Sequence, residues 1–193
     1  MKSNTVSPAP FAMIAIFAGA FSLIMFSVAI LADGDWTFNV NTLSDLGTSD
    51  TKAVADIFNY TCIASGLFSV IFGIGKIFIK TGMSSASGFL IAAGGVFLIG
   101  VGIFTKDSLD IHVLMAAMYF ILTAIALLVS TIADSKEGNK FGMALGVIAI
   151  VIAIGAAVGL QFPGLEVMSV VAICIWMIGQ GLTLSRGSYY KSK

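Results

Sequence analysis

The sequence predicts an all-α membrane protein, a bundle of six transmembrane helices forming a single domain over residues 1–193. Apolar residues make up 58% of the chain and charged residues only 10%, whereas charged residues form about 25% of a typical soluble domain. Six apolar runs are each long enough to cross a bilayer core, which takes roughly 20 residues in helical form. Short polar connections separate all but the first pair, as in a helical bundle.

The bounds of the six apolar runs give the predicted spans. They are residues 10–32, 54–78, 84–104, 109–132, 141–160 and 165–185. The first run is longer than the apolar segment of a secretory signal, which is about 7–15 residues, so we expect it to remain in the protein as a helix. The first connection, residues 33–53, is the one long loop, and long loops in compact domains often bind ligands.

The basic residues predict the orientation of the bundle. Assigning alternate connections to alternate sides places eight of them on one face: Lys2, Lys76, Lys80, Lys136, Lys140, Arg186, Lys191 and Lys193. Only Lys52 and Lys106 fall on the other face. Because lysine and arginine favour the cytoplasmic side of a membrane, we expect both termini to be cytoplasmic in a multi-pass protein of the cell membrane.

Charge and composition narrow the range of partners and cofactors. Ten basic and ten acidic side chains balance, so nothing favours nucleic acid as a partner, and membrane lipid is the expected one. A single histidine is too few for a bis-histidine haem, and Cys62 and Cys174 lie in apolar runs, where a thiol packs as a small hydrophobe. The sequence contains no P-loop, GxSxG, HExxH or CxxC motif. We therefore expect no metal and no cofactor.

Glycines four residues apart predict close packing between helices, because small residues let helix backbones approach each other. Gly142 and Gly146 form one such pair in the fifth predicted helix, and Gly155 and Gly159 form a second. We expect both pairs to pack against other helices, so that Gly155→Leu lowers stability by about 1–3 kcal/mol. The same faces suit a homo-oligomer, and the pattern leaves packing within the chain and self-association open.

A stripe of polar residues follows one face of the sixth predicted helix. Trp176, Gln180 and Thr183 recur at spacings of three and four residues, which place them on the same side of a helix. We interpret them as a hydrogen-bonding stripe between helices, with a role in substrate binding as the alternative.

Polar residues near the start of the second and fourth helices form the candidate site. Asp56 and Asn59 are three residues apart and share a helix face, and His112 shares a face with Tyr119. Both helices begin at the outer surface in the predicted topology, so Asn59 and His112 lie at similar depth. We predict that these two side chains lie within about 8 Å of each other, in contact directly or through one water.

The long loop leads directly into the second helix and adds two residues to this site, Ser44 and Asp45. Unpaired polar groups cost free energy in an apolar setting, so we predict that Ser44, Asp45, Asn59 and His112 converge on one pocket beneath the loop. Together with Tyr119 they are the candidate ligand-binding residues. The candidate catalytic residues are His112, Asp45 and Asp56.

Four short segments carry a family resemblance. They are Leu43-Ser44-Asp45-Leu46-Gly47, Ile57-Phe58-Asn59, Gly100-Val101-Gly102-Ile103-Phe104 and His112-Val113-Leu114-Met115-Ala116-Ala117. With them the chain resembles the prokaryotic membrane family called domain of unknown function 998. The resemblance implies six helices, a histidine at the start of the fourth, and a site at the Ser-Asp-Leu-Gly loop, without implying an activity. Asn41 and Thr42 stand where an arginine and a proline often precede this motif, so the chain lacks that loop arginine.

Three functions follow as expectations. The first is a non-enzymatic protein that binds or senses a small or lipidic ligand in a polar pocket of the outer leaflet. The second is an intramembrane enzyme acting on lipid head groups, with His112 as general base and Asp45 or Asp56 orienting it. The third is a small transporter, because three helices followed by three would permit an inverted repeat.

Overall fold

Six long helices make up the computed structural model, which describes the backbone of residues 7–190 and the side chains of residues 7–186. The helices are α1 (Ala9–Asp33), α2 (Lys52–Ile79), α3 (Gly82–Ile103), α4 (Leu109–Lys136), α5 (Lys140–Gly159) and α6 (Phe162–Tyr190). Two short 3₁₀ helices, Leu43–Thr48 and Lys106–Ser108, lie in the connections. Each long helix is long and apolar enough to cross a membrane, so the predicted six-helix membrane fold is confirmed.

Local chemistry sets where several helices end. Gly34 follows α1 with φ +80° and Gly138 follows α4 with φ +72°, a left-handed conformation that glycine adopts without steric cost. Asn139 then caps α5, because its side-chain oxygen accepts a hydrogen bond of 3.1 Å from the Gly142 amide. The turn from α4 to α5 is therefore encoded in two adjacent residues.

The short connections make successive helices antiparallel, so the bundle has two distinct ends. We call one the loop end; it carries the connections 34–51, 104–108 and 160–161. We call the other the terminal end; it carries the connections 80–81 and 137–139 and both ends of the described chain. Each helix packs against its neighbours in sequence, and α6 packs against α1. The helices therefore form a closed ring with an interior that polar side chains can line.

Glycines bring α2 and α3 closest together. A Cβ atom on Gly66 would lie 2.6 Å from the Gly95 carbonyl oxygen, and one on Gly73 would lie 2.5 Å from the Gly88 carbonyl oxygen. Real Cβ atoms do not approach backbone this closely, so these positions accept only glycine. Close approach adds dispersion contacts along the whole pair of helices.

The prediction for the glycine pairs of α5 is confirmed for one pair and wrong for the other. A Cβ on Gly146 would meet the Thr131 side chain of α4, whereas Gly155 and Gly159 have nothing within 4 Å. The reason is geometric: Gly155 lies nine residues after Gly146, which is about half a turn out of phase at about 100° per residue. The first pair faces α4, and the second faces outward beside Val158, which is 84% exposed.

Candidate functional site

A cavity of about 50 Å³ lies inside the loop end of the bundle, lined by residues from every long helix except α5 and from the 3₁₀ helix Leu43–Thr48. Its polar lining consists of Ser22, Ser44, His112, Tyr119 and Glu166, with the thiols of Cys62 and Cys174. Its apolar lining consists of Phe26, Leu43, Phe58, Leu98, Val101, Ala116, Phe120 and Val170. We call this space the loop-end cavity. Since one water needs roughly 10–15 Å³ of such space, it has room for a few waters or a small chemical group.

His112 reaches the cavity from the first turn of α4 and is held in a defined orientation. Its Nδ1 lies 2.7 Å from the carbonyl oxygen of Phe104, and the residue is only 3% exposed. Because a carbonyl can only accept, Nδ1 carries the proton, and the neutral ring then has an unprotonated Nε2. Nε2 makes no hydrogen bond to the residues that the structure describes.

Glu166 enters the same cavity from the start of α6. Its Oε1 accepts a hydrogen bond of 3.1 Å from the backbone amide of Ser44, which joins α6 to the loop. Glu166 was not among the site residues predicted from the sequence. The available signal was a single carboxylate inside the sixth apolar run, since ionisable side chains within spans are rare and often functional.

Asp45 belongs to the loop rather than to the lining of the cavity. It accepts hydrogen bonds from the Lys106 ammonium and, at 2.7 Å, from the Thr42 amide. Partial burial opposes its charge, but these hydrogen bonds outweigh burial and hold the pKa of Asp45 below its usual range. Lys106 also donates to the Thr42 hydroxyl at 2.7 Å. The charged pair therefore fastens the loop to the connection between α3 and α4.

Two further contacts make the loop a fixed cap over the cavity. The Trp36 indole donates a hydrogen bond of 2.9 Å to the Thr42 carbonyl oxygen. Leu43 and Leu46 are 3% and 1% exposed and pack in an apolar cluster with Phe58. The loop is therefore anchored by buried apolar area as well as by charge.

Asn59 and Asp56 point to other partners. The Asn59 side-chain amide donates a hydrogen bond of 3.0 Å to the Gly47 carbonyl oxygen, so this residue also holds the loop. Asp56 pairs at 2.6 Å with Lys52 on the exposed side of α2. Neither residue lines the loop-end cavity. The group that orients His112 is the Phe104 carbonyl, whereas Asp45 and Asp56 pair with lysines.

The structure thus brings three of the predicted ligand-binding residues to one cavity: Ser44, His112 and Tyr119. Asp45 and Asn59 lie in the layer above, where they fix the loop that covers it. The single region predicted from the sequence is therefore two layers, a mainly apolar cavity with a few polar groups and the loop that covers it.

A second polar cluster lies inside the terminal end. The Lys76 ammonium donates to the Gln180 side-chain oxygen at 2.5 Å, and the Gln180 amide donates to Asp134 at 3.3 Å. Asn139 donates to the other oxygen of Asp134 at 2.7 Å. Lys76, Gln180 and Asp134 are at most 5% exposed. This cluster, with the bond of 3.1 Å from Trp176 to Ser130, confirms the predicted hydrogen bonding between helices for Trp176 and Gln180. The prediction is wrong for Thr183, whose hydroxyl oxygen is buried and has no hydrogen-bond partner among the described residues.

Fold and site together define a multi-pass α-helical membrane protein with a capped cavity at one end of its bundle, mainly apolar and with a few polar groups in its lining. A family model described as "Protein of unknown function (DUF998)" matches residues 16–183. The chain belongs to this family, and the resemblance seen in the sequence is confirmed. No curated protein and no solved structure matches the chain significantly.

Proposed function

We propose that this protein binds a small or lipidic ligand in the loop-end cavity, at the outer leaflet of the cell membrane. The observation that carries the proposal is the convergence of Ser44, His112, Tyr119 and Glu166, from three elements, on a cavity that is otherwise apolar. Ligand sites typically combine apolar walls with a few convergent polar groups. An amphipathic molecule matches this lining, with its polar end at these four residues.

Unused hydrogen-bonding capacity in the cavity supports a ligand. Nε2 of His112 and the Tyr119 hydroxyl make no hydrogen bonds within the described chain. Both atoms can therefore accept a hydrogen bond from a molecule in the cavity. A bound polar group, or water that a ligand displaces, would satisfy them.

The cap supports the same proposal. The loop is held by the Lys106–Asp45 pair and by Asn59, so that it covers the cavity without filling it. A loop needed only to connect α1 and α2 would not need a charged pair, a tryptophan hydrogen bond and an apolar anchor. We infer that its sequence serves to close the site.

We further propose that the loop end faces outward. At the terminal end the described chain carries Lys76, Lys80, Lys136, Lys140 and Arg186. At the loop end it carries Lys52 and Lys106. This asymmetry favours a cytoplasmic terminal end. Lys2, Lys191 and Lys193, which were also assigned to that face, lie outside the described residues.

Cysteine labelling tests the orientation. In intact cells an impermeant maleimide should label Asp50→Cys, and it should label Lys136→Cys only after permeabilisation, because both positions are exposed at opposite ends of the bundle. The wild type is the control, since Cys62 and Cys174 are buried. The opposite pattern would place the loop end in the cytoplasm and remove the outer-leaflet part of the proposal.

Filling the cavity tests ligand binding. Val170→Phe adds a ring to the lining of the loop-end cavity, whereas Val158→Phe adds the same ring to an exposed position of α5. We expect native mass spectrometry to find a copurifying ligand on the wild type and on Val158→Phe, and at least about tenfold less on Val170→Phe, since overpacking excludes the ligand. Equal ligand on both folded variants, or none on the wild type, would contradict the proposal.

A second candidate is an intramembrane enzyme acting on lipid head groups. The observation in its favour is the orientation of His112, because fixing Nδ1 on the Phe104 carbonyl leaves Nε2 as a proton acceptor. The two candidates use the same cavity. A binding protein releases the bound molecule unchanged, whereas an enzyme releases it as a product.

A further inference from the structure

The loop-end cavity contains a carboxylate without a basic partner. Glu166 is half-buried, and its described hydrogen bond comes from the neutral amide of Ser44. Among the residues that the structure describes, no lysine or arginine lines the cavity. The ion pairs in the described part of the chain use Lys52, Lys80 and Lys106 with other acids. A carboxylate in such a setting favours a cation that can enter the cavity.

Aromatic rings form much of the wall around this carboxylate. Phe26 and Phe58 pack with ring centroids 5.5 Å apart, and Tyr119 and Phe120 pack at 5.2 Å. All four rings line the cavity. The faces of aromatic rings attract organic cations, more strongly where water is excluded. A carboxylate among aromatic rings therefore selects a cation that is partly organic.

We infer that the ligand of the loop-end cavity carries an ammonium group, and that Glu166 is its counter-ion. This inference rests on the proposed binding function. A primary ammonium has three N–H donors, and Glu166, Nε2 of His112 and the Tyr119 hydroxyl all offer acceptor atoms. The cavity of about 50 Å³ has room for a small group such as an aminoethyl group.

The donor set explains why an amine fits better than a metal ion. Cys62, Cys174, His112 and Glu166 all line the cavity, yet in the described chain no three such side chains lie close enough to hold one metal ion. Calcium and magnesium need about six oxygen ligands, and the cavity has one carboxylate. An ammonium needs fewer acceptors and also gains from the rings.

Matched small probes test the charge preference. Propylammonium and 1-propanol have nearly the same size and shape but differ in charge. We expect saturation-transfer NMR on the detergent-solubilised full chain to show that propylammonium binds and that 1-propanol binds at least about thirtyfold more weakly. Glu166→Gln should weaken propylammonium binding by a similar factor, because a buried charge pair is lost. If that variant does not fold, the comparison of propylammonium with 1-propanol on the wild type tests the charge preference.

A second experiment, with lipid vesicles, distinguishes a lipid head group from a free amine as the source of the ammonium group. The protein is reconstituted in vesicles of equimolar phosphatidylethanolamine and phosphatidylglycerol, extracted gently and measured by native mass spectrometry. Selective retention of phosphatidylethanolamine identifies a lipid head group, and propylammonium binding without it identifies a free amine; both outcomes support the inference.

Two results would overturn the inference. If propylammonium and 1-propanol bind equally, and Val170→Phe abolishes binding of both, the cavity binds ligands without selecting charge. The proposed binding function then stands, and the inference of an ammonium-bearing ligand fails. If neither probe binds and no lipid is retained, both proposals fail.

Discussion

Gly73→Leu should be the most damaging single substitution in the interface between α2 and α3. A Cβ at this position would lie 2.5 Å from the Gly88 carbonyl oxygen and 2.6 Å from the Ala92 amide nitrogen. Both atoms are backbone, so the clash can be relieved only by separating the helices. We expect a loss of about 3 kcal/mol or more, at the upper end of overpacking costs, measured as a lower unfolding midpoint in detergent.

Gly155→Leu is the matched control for this substitution. Gly155 also lies within a helix, but nothing lies within 4 Å of the position that a Cβ would take. We expect a change within roughly 1 kcal/mol, in the stabilising direction, because leucine forms helices better than glycine. If Gly73→Leu costs no more stability than Gly155→Leu, the backbone contacts at Gly73 contribute little, and the tight α2–α3 interface is not a major source of stability.

Most of the fold could be predicted because the length of the apolar runs determines it. A bilayer core demands about 20 apolar residues per helix, so run length and short connections fix the number and order of the helices. Rotation of each helix about its axis was harder to predict. Gly146 and Gly155 carry the same spacing motif, yet only Gly146 meets a neighbour, because the motif does not state which face of the helix is inside.

The candidate site was predictable in location more than in composition. His112 was selected because a polar residue at the start of an apolar run must find a partner, and Ser44 was selected because the long loop leads directly into the second helix. Glu166 was missed, since it stands alone at the edge of the last run and its contact with Ser44 spans 122 positions. Asp45 was predicted as a partner for His112, but its carboxylate accepts a hydrogen bond from Lys106 instead. Which opposite charges meet is decided by packing.

The polar cluster at the terminal end contains charged side chains that lie inside the bundle. Gln180 stands between Lys76 and Asp134, accepting from the ammonium and donating to the carboxylate. The chain therefore links two opposite charges through one neutral amide. Removing that amide would leave both charges buried without their partner, which is costlier than losing an exposed pair.

Gln180→Leu should therefore destabilise the protein by about 3–5 kcal/mol, the usual cost of breaking a buried charged network. The size of the side chain changes little, so the loss reports the polar contacts. Unfolding in detergent, followed by circular dichroism with increasing sodium dodecyl sulfate, measures it. The triple variant Lys76→Met, Gln180→Leu and Asp134→Leu should recover most of the loss, because an apolar cluster leaves no buried charge.

Lys80→Met is the control for charge at the same end. Lys80 pairs with Glu137 at 2.9 Å, with 29% and 41% of the two side chains exposed, and such surface pairs contribute about 0–1 kcal/mol. A loss from Gln180→Leu as small as that from Lys80→Met would show that water reaches Lys76 and Asp134. The terminal end would then be open between α2, α4 and α6, and the cluster would line an entrance instead of closing the bundle.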